Sequence, residues 1–326
     1  MHKAVVFLNH RAGQHQRNNW VEAIQEGLFR SEVTFVSLGD TEETHNAFSK
    51  IRDNVYDTAI SIGGDGTIHS IIQEVVGTRA RFLVLPGGTA NDLSTQLGHH
   101  KSLQKSLEMV RLDHWTSIDL VKVNDVYMAT NGGLGLVGNV AASAERYRNR
   151  IPAFLNLMSH LGHRIYSTVL GVKLLRGDAD PYRFEIRAKE FSGIVETPVL
   201  LVNNQPYLAG RFPVAPETCN QDGRFNVSIF FHRKMVDLAL AIDRVRRHIP
   251  PVYDPNIVSF ETESLEIRSL EGSVEPTFFG DGESMGSAKL FQVSIIPQAL
   301  RVLTLPSTSS LHPVSDSHHP HPKDDL

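Results

Sequence analysis

The chain is predicted to fold as an α/β N-terminal domain built on a parallel sheet, followed by a mostly antiparallel β C-terminal domain. Three observations predict this. The first third alternates short apolar runs with helical spacing, the order that builds a parallel sheet with helices on both faces. Two glycine-rich loops, Gly63-Gly64-Asp65-Gly66-Thr67 and Gly87-Gly88-Thr89-Ala90-Asn91-Asp92, each follow a strand-like run and precede a helix-like one. From about Ile118 the chain turns to β-branched and aromatic runs separated by turn signals such as Asn124-Asp125, Gly177-Asp178 and Asp222-Gly223.

In chain order, strands are expected at Ala4–Leu8, Val33–Leu38, Thr58–Ile62 and Phe82–Leu85, which are short, apolar and bounded by polar residues. Helical spacing lies between them: Trp20, Val21, Ala23, Ile24 and Leu28, then Ala47, Phe48 and Ile51, then Ile68, Ile71, Ile72, Val75 and Val76. This is a Rossmann-like order, and ligands of such sheets bind at the carboxyl ends of the strands. Asn9 and both glycine loops fall at those ends, so motif and topology point to one crevice.

The second part predicts strands at Ile118–Val123, Val126–Asn131, Tyr182–Ala188, Val195–Asn203, Arg224–Phe231 and Ile257–Arg268. Helices are expected over Val140–Leu175 and Met235–His248, and Leu290–Leu305 alternates as a strand does. The expected units are residues 1–122, residues 123–289 and a disordered tail over 307–326. That tail is rich in Ser, Pro, His and Asp and lacks apolar periodicity.

Glycines let backbone N–H groups converge on an anion, and a following helix N-terminus adds partial positive charge, so each loop has the chemistry of a phosphate cradle. Near the C-terminus stands Phe279-Gly280-Asp281-Gly282-Glu283. Asp281 and Glu283 could orient an alcohol and take its proton, or the Asp-Gly could be an ordinary hairpin turn. Both readings stay open from the residues alone.

Composition narrows the classes. A net charge of -4 over 326 residues, with no dense Lys/Arg stripe, argues against a nucleic-acid partner. Cys219 is alone, so no disulfide framework exists and a reducing, cytoplasmic compartment is expected. The stretch Ile151–Leu175 is interrupted by His160, His163, Arg164 and Lys173, which suits a core or interfacial helix better than a membrane span. With Arg146, Arg148 and Arg150 before it, this helix either rests on an anionic membrane or covers the second domain's sheet.

Taken together, the first glycine loop, Gly88–Leu93, Ile118-Asp119, Asp222-Gly223 and Asp281-Gly282-Glu283 resemble the diacylglycerol kinase catalytic-domain family, which includes diacylglycerol, sphingosine and ceramide kinases. The resemblance runs from about Lys3 to Leu305. It implies an ATP- and Mg²⁺-dependent lipid kinase with its active site in the interdomain cleft and residues 290–306 returning to the first domain. Asn9, Gly63, Gly64, Asp65, Gly66, Thr67, Gly88, Thr89 and Asn91 inherit the nucleotide role. Asp65, Asp92 and Asp119 inherit a water-mediated Mg²⁺ network, and Asp281 and Glu283 the base and its partner.

Three places depart from the family. His10 replaces a usual proline, and Arg211 stands in a segment that is often glycine-rich. His69-Ser70 replaces a usual Asn-Glu, where His69 either caps the helix over Ile68–Val76 or alters the nucleotide wall or the groups around the magnesium. The resemblance further implies a lipid substrate and peripheral membrane contact, and leaves a homodimer open. The rival readings are an NAD kinase, which shares the first loop, and a catalytically silent lipid or nucleotide sensor.

Overall fold

The computed structural model describes residues 2–9, 14–86, 92–99, 102–136, 181–208, 212–270 and 275–305. The predicted helix over Val140–Leu175, the tail over 307–326, His10 and Arg211 lie outside them. Among the described residues no helix is long and apolar enough to cross a membrane.

Strands β1 (Lys3–Leu8), β2 (Glu32–Ser37), β3 (Thr58–Gly63) and β4 (Arg81–Pro86) pair in parallel in the order β2-β1-β3-β4. Between them run α1 (Gln14–Gly27), α2 (Thr41–Arg52) and α3 (Asp65–Val75), followed by α4 (Asp92–Gln96) and α5 (Leu103–Leu112). The period of two divides the strands' side chains between two cores. Val5, Phe7, Ala59, Phe82 and Val84 pack with Ile51, Ile68, Ile71 and Ile72 from α2 and α3. Val6, Leu8, Ile60, Ile62, Leu83 and Leu85 pack on the opposite face with Ile24 of α1 and Leu107 and Val110 of α5. Each buried Val, Leu, Ile or Phe side chain contributes about 1.5–3 kcal/mol, which explains continuous apolar runs in place of alternation.

The remaining strands are β5 (Trp115–Val123), β6 (Val126–Met128), β7 (Asn131–Gly135), β8 (Tyr182–Arg187), β9 (Ser192–Thr197) and β10 (Val199–Asn203). They continue with β11 (Tyr207–Leu208), β12 (Phe212–Pro213), β13 (Phe225–Phe230), β14 (Ile257–Thr262), β15 (Ser264–Ser269), β16 (Thr277–Gly280), β17 (Glu283–Ser287) and β18 (Leu290–Leu303). Helix α6 (Met235–Arg246) and a 3₁₀ turn (Pro251–Tyr253) lie between β13 and β14. The parallel strands continue into one sheet of order β2-β1-β3-β4-β18-β15-β8-β9, with β5 on β18 and β6 on β5. A second, antiparallel sheet has the order β14-β13-β10-β7-β16-β17. An N-terminal α/β domain with a mostly antiparallel C-terminal part is therefore the observed fold. Strand β18 joins the two parts: Leu290–Ser294 pairs with β15, and Val302 pairs with Phe82 of β4.

Three expected strands are each two strands. Val195–Asn203 breaks at Pro198 and Ile257–Arg268 breaks at Glu263, and in both cases the chain passes from one sheet to the other. Buried strands of either sheet carry the same residue types, and the polar stretches at the crossings, Glu196–Pro198 and Glu261–Ser264, hold no Asn-Gly or Asp-Gly turn signal that would part the strands. Val126–Asn131 breaks at Ala129–Thr130, where the backbone leaves the ladder to serve a side chain described below.

Candidate active site

The first loop is built by the exit from β3. Gly63 ends the strand, Gly64 is the N-cap of α3, and Asp65, Gly66 and Thr67 form its first turn. The free N–H groups and partial positive charge of a helix N-terminus face this loop, which favours an anion there. Asn9, at the end of β1, donates its backbone N–H to Ile62 O at 3.2 Å and its side-chain Nδ2–H to Thr67 Oγ1 at 2.7 Å. The two strand ends are thus tied into one crevice. Asp65 Oδ1 accepts the backbone N–H of Asp92 at 3.3 Å, which brings the start of α4 beside the start of α3. Gly88, Thr89 and Asn91 lie outside the described residues.

The late carboxylates come from a hairpin. Gly280 pairs with Glu283, leaving Asp281-Gly282 as a two-residue turn with φ of 54° and 78°. Both central residues of such a turn need positive φ, which Asp tolerates better than most side chains. The turn and the functional reading are therefore compatible, because the turn aims both carboxylates at α3. A Cβ at Gly66 would fall on the Glu283 carboxylate, so glycine there is what lets Glu283 lie against the Gly63–Thr67 loop.

Asp281 is 5% exposed and accepts several hydrogen bonds. The Ala129 N–H reaches Oδ2 at 3.0 Å, the Thr130 N–H reaches Oδ1 at 2.7 Å, and the Thr130 hydroxyl reaches Oδ1 at 2.6 Å. These donors come from the break between β6 and β7. The fourth partner comes from the first domain: His69 Nδ1 lies 3.2 Å from Asp281 Oδ2. Helix α3 begins at Asp65, so His69 stands in its second turn and caps nothing. Burial pulls the pKa of His69 down, but the hydrogen bond to Asp281 and the charges of Asp281 and Glu283 outweigh it. The net shift is upward from 6.5.

Asp119 is a carboxylate of another kind. It is 1% exposed in β5, and its oxygens accept the backbone N–H groups of Gly223 and Gln298, each at 2.7 Å. Its own N–H donates to Asn220 O, and its carbonyl accepts from Asn204 Nδ2. Among the described residues no group of three or more His, Cys, Asp or Glu side chains is placed to hold a metal directly. Of the three aspartates expected around Mg²⁺, Asp65 and Asp92 are brought together, whereas Asp119 is engaged by the Asp222-Gly223 turn and β18.

These parts match known proteins. Residues 3–123 match the model of the diacylglycerol kinase catalytic domain. A Klebsiella pneumoniae protein named "Probable lipid kinase YegS-like" is 30% identical over 252 residues, 75% of this chain and 77% of that protein. The chain belongs to this lipid kinase family. A family member of the same name from Citrobacter koseri is 28% identical over 287 residues, covering 84% of this chain and 88% of that one. The crystal structure of a diacylglycerol kinase from Bacillus anthracis superposes with a TM-score of 0.69. The match covers 93% of this chain and 97% of that chain at 19% identity, a likeness of fold.

Within the family frame, three residues at the site carry no role that the sequence motifs assign. Ala129 and Thr130 hold Asp281 through backbone N–H groups, which have no residue signature, and through the Thr130 hydroxyl. His69 is visible as a departure, and the signal that could place it is its spacing. It stands four residues after Asp65, one turn along the same face of α3.

Proposed function

We propose that the protein is an ATP- and Mg²⁺-dependent kinase that transfers the γ-phosphate to the hydroxyl of a diacylglycerol-like lipid. The observation that carries this reading is the His69–Asp281 contact. It sets a carboxylate of the second domain against the helix that begins at the phosphate loop of the first. Phosphoryl transfer asks a protein mainly for positioning and for charge at the right places. The loop at Gly63–Thr67, with Asn9 bonded to Thr67, would hold the phosphates. The acceptor hydroxyl would approach from the second domain and give its proton to the Asp281–His69 pair. Ala129, Thr130 and the hairpin turn fix Asp281, and Asp281 in turn fixes the ring of His69, so the acceptor group needs no rearrangement.

The oxygen donors present fit a hard divalent cation. Asp65 in the first turn of α3 and Glu283 against Gly66 would hold it, with Asp92 alongside Asp65. Bound there, magnesium would neutralise phosphate charge. Asp119 would support the site through the domain junction, because both its oxygens already hold backbone N–H groups.

The test is radiolabelled ATP with the purified full chain and diacylglycerol, phosphatidylglycerol, monoacylglycerol, sphingosine, ceramide and NAD offered separately. Label entering a lipid with a free hydroxyl is expected, most strongly for diacylglycerol. Label on NAD alone would support the dinucleotide-kinase reading, and label on none would leave a silent sensor.

A further inference from the structure

Helix α6 carries its apolar residues on two faces. Leu238, Ala241 and Val245 are buried, and Leu238 and Val245 pack with Val199, Leu201, Phe230 and Ile257 of the second sheet. Val236 and Leu240, one turn apart on the opposite face, are 69% and 55% exposed. The exposed apolar surface continues past the helix with Ile249, Val252 and Tyr253, at 41%, 71% and 74%. The two parts form one surface: Arg244 of α6 and His232 before it reach Asp254, just after the 3₁₀ turn, at 3.2 and 3.3 Å.

The charge of this surface opposes that of the whole. Residues 232–254 hold five basic side chains (Arg233, Lys234, Arg244, Arg246 and Arg247) against three acidic ones in a chain of net charge -4. Two of the acids are already neutralised, Asp243 by Arg246 and Arg247 and Asp254 by Arg244. Arg233 and Lys234 are exposed and ion-paired to no described residue. Outward valine, leucine and tyrosine with a basic rim suit a surface that offers both hydrocarbon and negative charge. A second copy of the chain docking symmetrically would press like charges together.

We infer that α6 and the Pro251–Tyr253 turn form a docking face for an anionic lipid bilayer. It is separate from the acceptor site. Ile257 pairs with Phe230, which lies at the Val199–Gly135 end of the second sheet. The carbonyl of Asn131, bonded to Asp281 N–H, lies at the other end of β7, roughly 13 Å of strand away. The inference rests on the lipid-kinase reading only for the presence of a bilayer near the protein, and binding is measurable without catalysis.

The experiment is co-sedimentation of the full chain, without nucleotide, with vesicles of phosphatidylcholine alone and of phosphatidylcholine mixed with phosphatidylglycerol. Two variants are compared with wild type. One replaces the outward apolar residues (Val236→Ser, Leu240→Ser, Val252→Ser and Tyr253→Ser), and the other reverses charge with Arg233→Glu and Lys234→Glu. Wild type should sediment with the mixed vesicles, less so as salt is raised, and the charge-reversal variant should lose about thirtyfold or more in partition. The serine variant should lose about tenfold or more. Both should keep their far-ultraviolet spectrum and thermal midpoint, and both should phosphorylate detergent-dispersed acceptor at the wild-type rate. Wild-type partition by either folded variant, or equal binding to phosphatidylcholine alone, would overturn the inference. So would light scattering showing a dimer that the serine variant breaks, since the face would then hold a second copy. Failure of phosphorylation with vesicle binding intact would count against the kinase reading alone.

Discussion

Asp119 and Asp281 are both buried aspartates whose oxygens accept backbone N–H groups, yet their surroundings assign them different work. The partners of Asp119 are two backbone amides, from Gly223 and Gln298, segments distant in sequence that it pins to β5. Neither partner can carry a proton away, so this is a clasp between parts of the fold. The partners of Asp281 include a hydroxyl and a histidine ring that can exchange a proton. Burial of a carboxylate therefore says little about function by itself, and the chemistry of its donors says a good deal.

Amide substitution should separate the two aspartates by the largest margin. Asp281→Asn keeps the size of the side chain but cannot take a proton, and turnover on lipid should fall about 10²–10⁴-fold, roughly 3–5 kcal/mol of transition-state stabilisation. Nucleotide affinity, measured by titration on the same preparation, should stay within a few-fold of wild type. Asp119→Asn should do the converse. One backbone N–H then faces an amide donor, which costs about 1–3 kcal/mol of stability. Its thermal midpoint should drop, as that of Asp281→Asn also should where an Ala129 or Thr130 N–H meets the new amide, but turnover per folded molecule well below that midpoint should be largely kept. If the two variants exchanged behaviours, the division between clasp and reacting group would be wrong.

Legibility in the sequence divides along similar lines. The parallel half is readable because buried strands and glycine loops have local signatures, and Gly63–Thr67 opens α3 as its composition implies. The crossings at Pro198 and Glu263 are not, since the short polar stretches there, Glu196–Pro198 and Glu261–Ser264, carry no Asn-Gly or Asp-Gly pair to announce a turn. At the site, Asp281-Gly282 is readable as a turn, but the aim of the turn is a matter of sheet order, which pairs β16 with β7. The donors at Ala129 and Thr130 are two backbone N–H groups and one hydroxyl, brought to Asp281 by a break in a predicted strand that no local turn signal announces. His69 stands out only as a departure from the family, and its partner lies 212 residues away.

A smaller change is expected at His69, where substitution touches the proton alone. His69→Asn restores the usual family residue and keeps a donor toward Asp281, so stability at neutral pH should change little. Since the pKa of His69 is raised on folding, its protonated form stabilises the protein fully below about 6.5, and that contribution fades as pH climbs through the folded-state value. In the opposite sense, protonated His69 cannot help accept the hydroxyl's proton, so turnover should fall on the acid side.

The most direct measurement is the pH dependence of single-turnover lipid phosphorylation in wild type and His69→Asn, at saturating ATP and magnesium. Wild type should show an acid limb from protonation of His69, and the variant should displace or lose it. Superimposable profiles for the two proteins would show that His69 takes no part in the proton's path, and would contradict the pairing of His69 with Asp281 as the accepting group.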